Sequence, residues 1–286
     1  YNLEKPGEWK TIKDLLFIGA MLQPGGGKND LPNRAKRHFH VMNVTLPSVA
    51  SIHQIFGSMV KAQFDPRSDT KVPEVWAASE KLVEMTIAVW TAVKAKMLPT
   101  PAKFHYIFNL RDLSRVFQGV FMCDAGEVLK SDVLLLGLWK HECERVFADR
   151  LVDETDKGWF DKTINKLLED TFGAGKAAQL KEPSYFVTFL RDGEEDPDTG
   201  EELPPPYIYE PVDGFAPCRE RVKMYTDRFN EAFKLNAVDM VLFEDALRHF
   251  MRINRIMRTP RGSALLVGVG GSGKQTLTRL ASYTCL

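Results

Sequence analysis

The run Ala264-Leu265-Leu266-Val267 leads without a break into Gly268-Val269-Gly270-Gly271-Ser272-Gly273-Lys274-Gln275-Thr276, and few patterns constrain a fold as tightly. Gly268, four residues, then Gly273-Lys274 is the spacing at which successive backbone N–H groups curl around the α- and β-phosphates of a nucleotide while the lysine reaches the β- and γ-phosphates. The apolar run ahead of it predicts a buried strand. The residues from Lys274 onward predict a helix whose N-terminal dipole favours the same anion. Strand, glycine-rich loop and helix in that order are the context that separates a phosphate-binding loop from a chance match. Hydrolysis at such a site also needs an acidic strand end to hold Mg²⁺ and activate water. None follows Lys274 before Leu286, so these residues are expected to hold an incomplete catalytic site.

Within the loop, Gln275 stands where Ser or Thr usually reaches Mg²⁺, which leaves Thr276, one place later, as the candidate metal ligand. A second glycine-lysine cluster, Gly173-Ala174-Gly175-Lys176, lacks both the leading strand and the full spacing, and reads as the loop that ends a helix.

Composition narrows the setting. At 286 residues and 44% hydrophobic content the chain has enough apolar surface for a sizeable core, organised in two domain-scale units. A formal net charge of zero gives no electrostatic footprint for nucleic acid or an anionic membrane. No apolar run approaches the roughly 18 residues of a membrane span, and the first residues do not resemble a signal peptide. Cys123, Cys143, Cys218 and Cys285 have neither CxxC spacing nor a disulfide-like framework, which fits a reducing, cytoplasmic setting.

Along the chain, residues 15–22 form a continuous apolar run of the kind buried on both faces of a sheet, followed by the glycine-rich turn 23–30 and a short basic helix over 32–37. A second strand is expected over 39–46, then a helix from 49 to 61 behind Ser48 as N-cap. From 72 the period becomes helical. Leu82, Val89, Trp90, Val93 and Met97 stripe one long helix that Pro99-Thr100-Pro101 stops, and further helices are predicted over 110–122, 132–152 and 156–172. Acids and prolines between 191 and 213 read as an exposed loop, flanked by the β-prone stretches 185–190 and 207–209, which are candidates to pair. Two helices, 217–234 and 238–258, then lead to the turn at Thr259-Pro260-Arg261-Gly262. The expected class is α/β plus all-α, with partial sheet-bearing units flanking a helical bundle.

Longer motifs carry a family resemblance. Pro24-Gly25-Gly26-Gly27-Lys28-Asn29-Asp30-Leu31-Pro32, Thr45-Leu46-Pro47-Ser48, the run from Lys96 to Tyr106, and Phe108-Asn109-Leu110-Arg111-Asp112-Leu113-Ser114-Arg115 resemble the third AAA+ module of axonemal dynein heavy chains. Arg258 to Leu280 resembles the start of the fourth, and outer-arm, gamma-type chains are the most similar. The resemblance implies residues 1–70 as the end of the third large subdomain, 71–181 as its lid, and 182–286 as the opening of the fourth large subdomain. It further implies ATP or ADP with Mg²⁺ as ligands and ATP-driven microtubule movement in a ciliary or flagellar axoneme. Partners would be the remaining modules of the ring, other dynein heavy, intermediate and light chains, and microtubules held through a stalk outside these residues.

By the same resemblance Gln23 takes the sensor I place, where a polar side chain helps position water, though many modules have Asn there. Arg37 takes that of an arginine finger aimed at a neighbouring nucleotide, with Arg34 as rival, and Arg111 that of sensor II. A finger can contribute on the order of 10³ to 10⁵ in rate. A structural or regulatory module that binds nucleotide without turning it over, or a segment of another multi-module AAA+ remodelling ATPase, are the alternatives. From the residues alone, Arg34, Lys36 and Arg37 form a solvated basic face and Arg111 a surface pair with Asp112 or with Glu residues of a neighbouring helix. His38 and His40 lack acidic or thiol neighbours for a metal, and Trp76, Trp90, Trp139 and Trp159 are core anchors.

Overall fold

The computed structural model describes residues 4–9, 11–22, 30–65, 72–180, 184–193, 203 and 205–285. The chain divides into two compact units, 1–46 and 47–286.

In the first unit the regular element among the described residues is α1, Asn33–Lys36, which Pro32 opens in an extended conformation and the Arg37 N–H closes on the Asn33 carbonyl. Lys36 Nζ lies 2.6 Å from Asp30 Oδ2. The runs expected as strands over 15–22 and 39–46 are not strands, and their apolar side chains face outward, with Ile18 89% and Val44 90% exposed. A doubly buried strand is stabilised by ladder partners and covering helices. No described residue pairs with these runs, so nothing holds them in a sheet.

The second unit begins with α2, Val49–Gln63, whose N-cap Ser48 accepts a hydrogen bond from the Ser51 N–H. Next come α3, Pro73–Lys96, with proline at its start, and α4, Leu110–Phe121, held by a capping box in which Asn109 and Asp112 satisfy each other's backbone donors. α5, Asp132–Val146, is capped by Ser131; α6, Glu154–Phe172, ends at Gly173 with φ 86°, and α7 spans Ala174–Ala177. Gly173 thus ends a helix as its composition implied, whereas Ala174, Gly175 and Lys176 are not a loop but belong to the short helix α7. Four helical predictions agree closely with these bounds; 132–152 ends early, because a 3-10 turn at Ala148–Arg150 breaks it.

These helices enclose a first core. Trp139 is fully buried, and its indole N–H donates to Thr86 Oγ1 at 2.9 Å, which explains a threonine deep in α3. Phe56 of α2 stacks on Phe117 of α4 at 4.8 Å between ring centroids. Trp90 is buried too, and Trp76 and Trp159 pack against the same core, so these four of the five tryptophans anchor it.

Two short strands follow. β1, Tyr185–Val187, pairs antiparallel with β2, Glu210–Val212, Phe186 lying opposite Pro211. The anticipated pairing therefore forms, but three residues later than 207–209 and inside the stretch read as a loop. Its near end is tied down: Arg191 bonds to Glu210 and Glu127, and Arg221 Nη1 to Asp192 Oδ1 at 2.7 Å. Alternate side chains of β1 face different cores, Phe186 the first, Tyr185 and Val187 a second.

That second core belongs to α8, Phe215–Ala232, α9, Glu244–Arg258, and α10, Lys274–Tyr283, through residues such as Val222, Leu247, Phe250 and Leu280. The helix expected from 238 starts only at Glu244, because the Asn230 side chain takes both backbone groups of Val238 and holds that segment extended. The strand expected at 264–267 does not form, and the run has no ladder partners among the described residues. Leu265 and Val267 are exposed, and Leu266 packs on the second core.

Candidate functional site

The glycine-rich loop leaves α9 through a tight turn. The Gly262 N–H donates to the Thr259 carbonyl at 2.8 Å, and a side chain at 262 would collide with the Ile256 carbonyl. At the far end Gly271 (φ 77°) and Gly273 (φ 73°) adopt left-handed conformations that glycine enters without steric cost. Gly273 is also the N-cap of α10, and no side chain caps that helix, so its first N–H groups are free to meet an anion.

Lys274 folds back over the loop. Its Nζ donates to the Gly268 carbonyl at 2.7 Å, the Val269 carbonyl at 2.6 Å and Ser272 Oγ at 3.0 Å. All three ammonium protons are used, which holds the lysine at the mouth of the loop. Gly268 is tight as well, since an added Cβ would stand 3.1 Å from Ser272 Oγ. Gly270 has open space around it. Gln275 is exposed, and Thr276 is half-buried with no described partner for its hydroxyl. A cleft of about 600 Å³ runs beside α10, lined by Phe229, Phe233, Tyr283, Gln275 and Lys274 among others.

Gln23 is outside the described residues. Arg37 is exposed at the end of α1 in the first unit, its Nε 3.2 Å from His38 Nε2, and Arg34 is exposed beside it. Arg111 is exposed in the first turn of α4. It does not pair with Asp112, which is taken by the Asn109 N–H at 2.8 Å and by Arg150 Nη1 at 2.8 Å. The Arg111 side chain thus projects from the helix start with no described partner.

A buried charge cluster went unread in the sequence. Glu142 of α5 is fully buried; its Oε1 accepts from the Tyr209 hydroxyl at 2.6 Å and from Arg255 Nε at 3.2 Å, and its Oε2 accepts from Arg255 Nη2. Burial and the Glu142 charge hold the Tyr209 hydroxyl well above the usual tyrosine range. Burial, with Arg145 and Arg255 adding to it, keeps His141 well below the ordinary histidine value, hence neutral. Gly119 carried a signal, because an isolated glycine inside an amphipathic helix marks a close approach. A Cβ there would collide with the Glu142 carboxylate. Burial pushes the thiols of Cys123 and Cys218 up to about 12, so neither is a thiolate nucleophile at neutral pH. Among the described residues no group of three or more His, Cys, Asp or Glu could hold a metal ion.

A helical lid that runs through a small sheet into a glycine-rich loop capping a helix defines a nucleotide-binding module of the AAA+ type. Family models agree: an AAA+ lid domain over residues 82–177, a P-loop containing dynein motor region over 1–47, and the P-loop containing dynein motor region D4 over 238–286. Among similar proteins, dynein axonemal heavy chain 5 of Mus musculus is 50% identical over 290 residues and that of Rattus norvegicus 49% over 291. The dynein gamma chain of the flagellar outer arm of Chlamydomonas reinhardtii is 46% identical over 300. Each alignment takes in 99% of this chain. The chain belongs to the axonemal dynein heavy-chain family, and it spans 6 to 8% of the length of these relatives.

Proposed function

We propose that this chain is part of the ATP-driven ring of an axonemal dynein heavy chain, a microtubule motor of cilia and flagella, and that it contributes a lid and the phosphate-binding loop of the following module. The observation that carries this reading is Lys274, held over the loop by three oxygens at the uncapped start of α10. The loop N–H groups, and the lysine by exchanging one of its loop bonds for a phosphate oxygen, would take the phosphates of ATP or ADP. Mg²⁺ keeps several waters and needs only one or two protein oxygens besides the phosphates, and the unpartnered Thr276 hydroxyl in the first turn of α10 fits that limited role. Bound there, the ion would neutralise phosphate charge.

Arg37 would serve as a finger for a neighbouring module's nucleotide, Gln23 as the sensor I residue, and Arg111, free at the start of α4, as the phosphate-sensing arginine of the lid. Residues 1–70, 71–181 and 182–286 would then be the end of one large subdomain, its lid and the opening of the next. Partners would be the other modules of the ring, the other heavy, intermediate and light chains, and microtubules, in the axoneme. Gln275, exposed where a hydroxyl usually follows the lysine, favours a second reading in which this module binds nucleotide without turning it over.

Removing a charged donor from a phosphate costs about 1.5 to 3 kcal/mol. Lys274→Ala in the heavy chain is therefore expected to weaken nucleotide affinity at this site by roughly tenfold or more, measured by equilibrium titration with a fluorescent ATP analogue; unchanged affinity would overturn the assignment. The 286 residues by themselves are expected to show no sustained ATP turnover, and a steady phosphate-release rate from the purified chain would contradict that.

A further inference from the structure

The two cores of the second unit are joined by charge as well as by apolar contact. The Glu142 carboxylate of α5 holds Arg255 of α9 through both of its oxygens, and one turn earlier Arg252 Nη2 meets Asp149 Oδ1 at 3.0 Å. Gly119 of α4 makes the room for that carboxylate, so α4, which carries Arg111 in its first turn, packs directly on the joint. α9 is fastened on another side to the helix that follows the glycine-rich loop. Asn254 Nδ2 donates to Thr284 Oγ1 at 3.0 Å, and Arg258 Nη2 to the Thr284 carbonyl at 3.0 Å.

An apolar joint lets two helices slide by a fraction of a turn at little cost. A two-point pair between guanidinium and carboxylate fixes both distance and orientation, and once buried it has no water to exchange with. A shift of α4 or α5 must therefore move α9, and α9 ends in the turn that launches the loop. We propose that Glu142 is a positioning residue that couples Arg111 of the lid to nucleotide affinity at the loop of residues 268–274. This rests on the nucleotide-binding reading given above.

The test is a double-mutant cycle in the full heavy chain, reading the Lys274→Ala-sensitive part of the binding of a fluorescent ATP analogue. With Glu142 intact, Arg111→Ala should change that affinity by roughly fivefold or more, the lower end of typical coupling between sites. In a Glu142→Gln background the same substitution should change it by less than about twofold. A merely structural role would leave the two effects independent, so an equal Arg111 effect in both backgrounds overturns the inference, as does the absence of any Arg111 effect. If Glu142→Gln fails to fold, Tyr209→Phe, which removes only the 2.6 Å hydrogen bond, should still shrink the Arg111 effect, and an undiminished effect overturns the inference. Binding insensitive to Lys274→Ala would instead overturn the nucleotide reading itself.

Discussion

Burial pushes the Glu144 carboxyl up to about 7, and the nearby Arg145 and Lys140 charges pull it back only in part. A carboxyl whose folded pKa lies above its unfolded value holds its proton more tightly in the folded chain. Its contribution is fully present below about pH 4 and is lost as pH rises through 7, on the order of 3 kcal/mol across that window. Glu144→Gln should flatten this slope, which urea midpoints measured between pH 4 and pH 8 would reveal; an unaltered slope would refute the assignment. Single residues differ in how legible they were. Trp139 stands on an apolar stripe and reads as core from its spacing alone. Glu142, three places on, looks like any solvated acid, because its partners Tyr209 and Arg255 are 67 and 113 positions away.

Helices were recovered nearly to the residue where their signals are local. Ser48, Asn109 and Ser131 cap α2, α4 and α5 with their own side chains, and Gly173 stops α6 with a backbone conformation other residues avoid. Asn109→Ala should cost about 1 kcal/mol through loss of the α4 cap, and should fray the turn that presents Arg111. Chemical denaturation together with hydrogen exchange of the first amides of α4 would check both. Strands were less legible for a physical reason: a strand's backbone bonds lie on another strand. Residues 15–22, 39–46 and 264–267 have the right apolar content, yet they form no strand and have no ladder partners among the described residues. β2 hid in an acidic, proline-rich stretch because its stability comes from Tyr185 to Val187 across the pair and from Arg191 on Glu210.

Within residues 47–286 the molecule is built from two cores that share one strand. Phe186 is buried in the first while its neighbours Tyr185 and Val187 fill the second. Phe186→Ala should therefore cost about 3 to 5 kcal/mol and loosen the link between the cores. Unfolding followed by tryptophan fluorescence, which reports the first core, should then separate from helix loss followed by circular dichroism, whereas coincident transitions would show that the cores remain one cooperative unit. The phosphate loop, the helical bundle and the family were fixed by the sequence itself, since each depends on short-range spacing: glycines ahead of a lysine, a 3.6-residue period, contiguous motifs. Tertiary structure alone decided which charge meets which across the joint, that Asp112 turns to Arg150 and leaves Arg111 free, and that Gly119 exists to admit a carboxylate. Those outcomes depend on residues distant in the chain being packed within hydrogen-bonding reach, and local spacing holds no record of that distance.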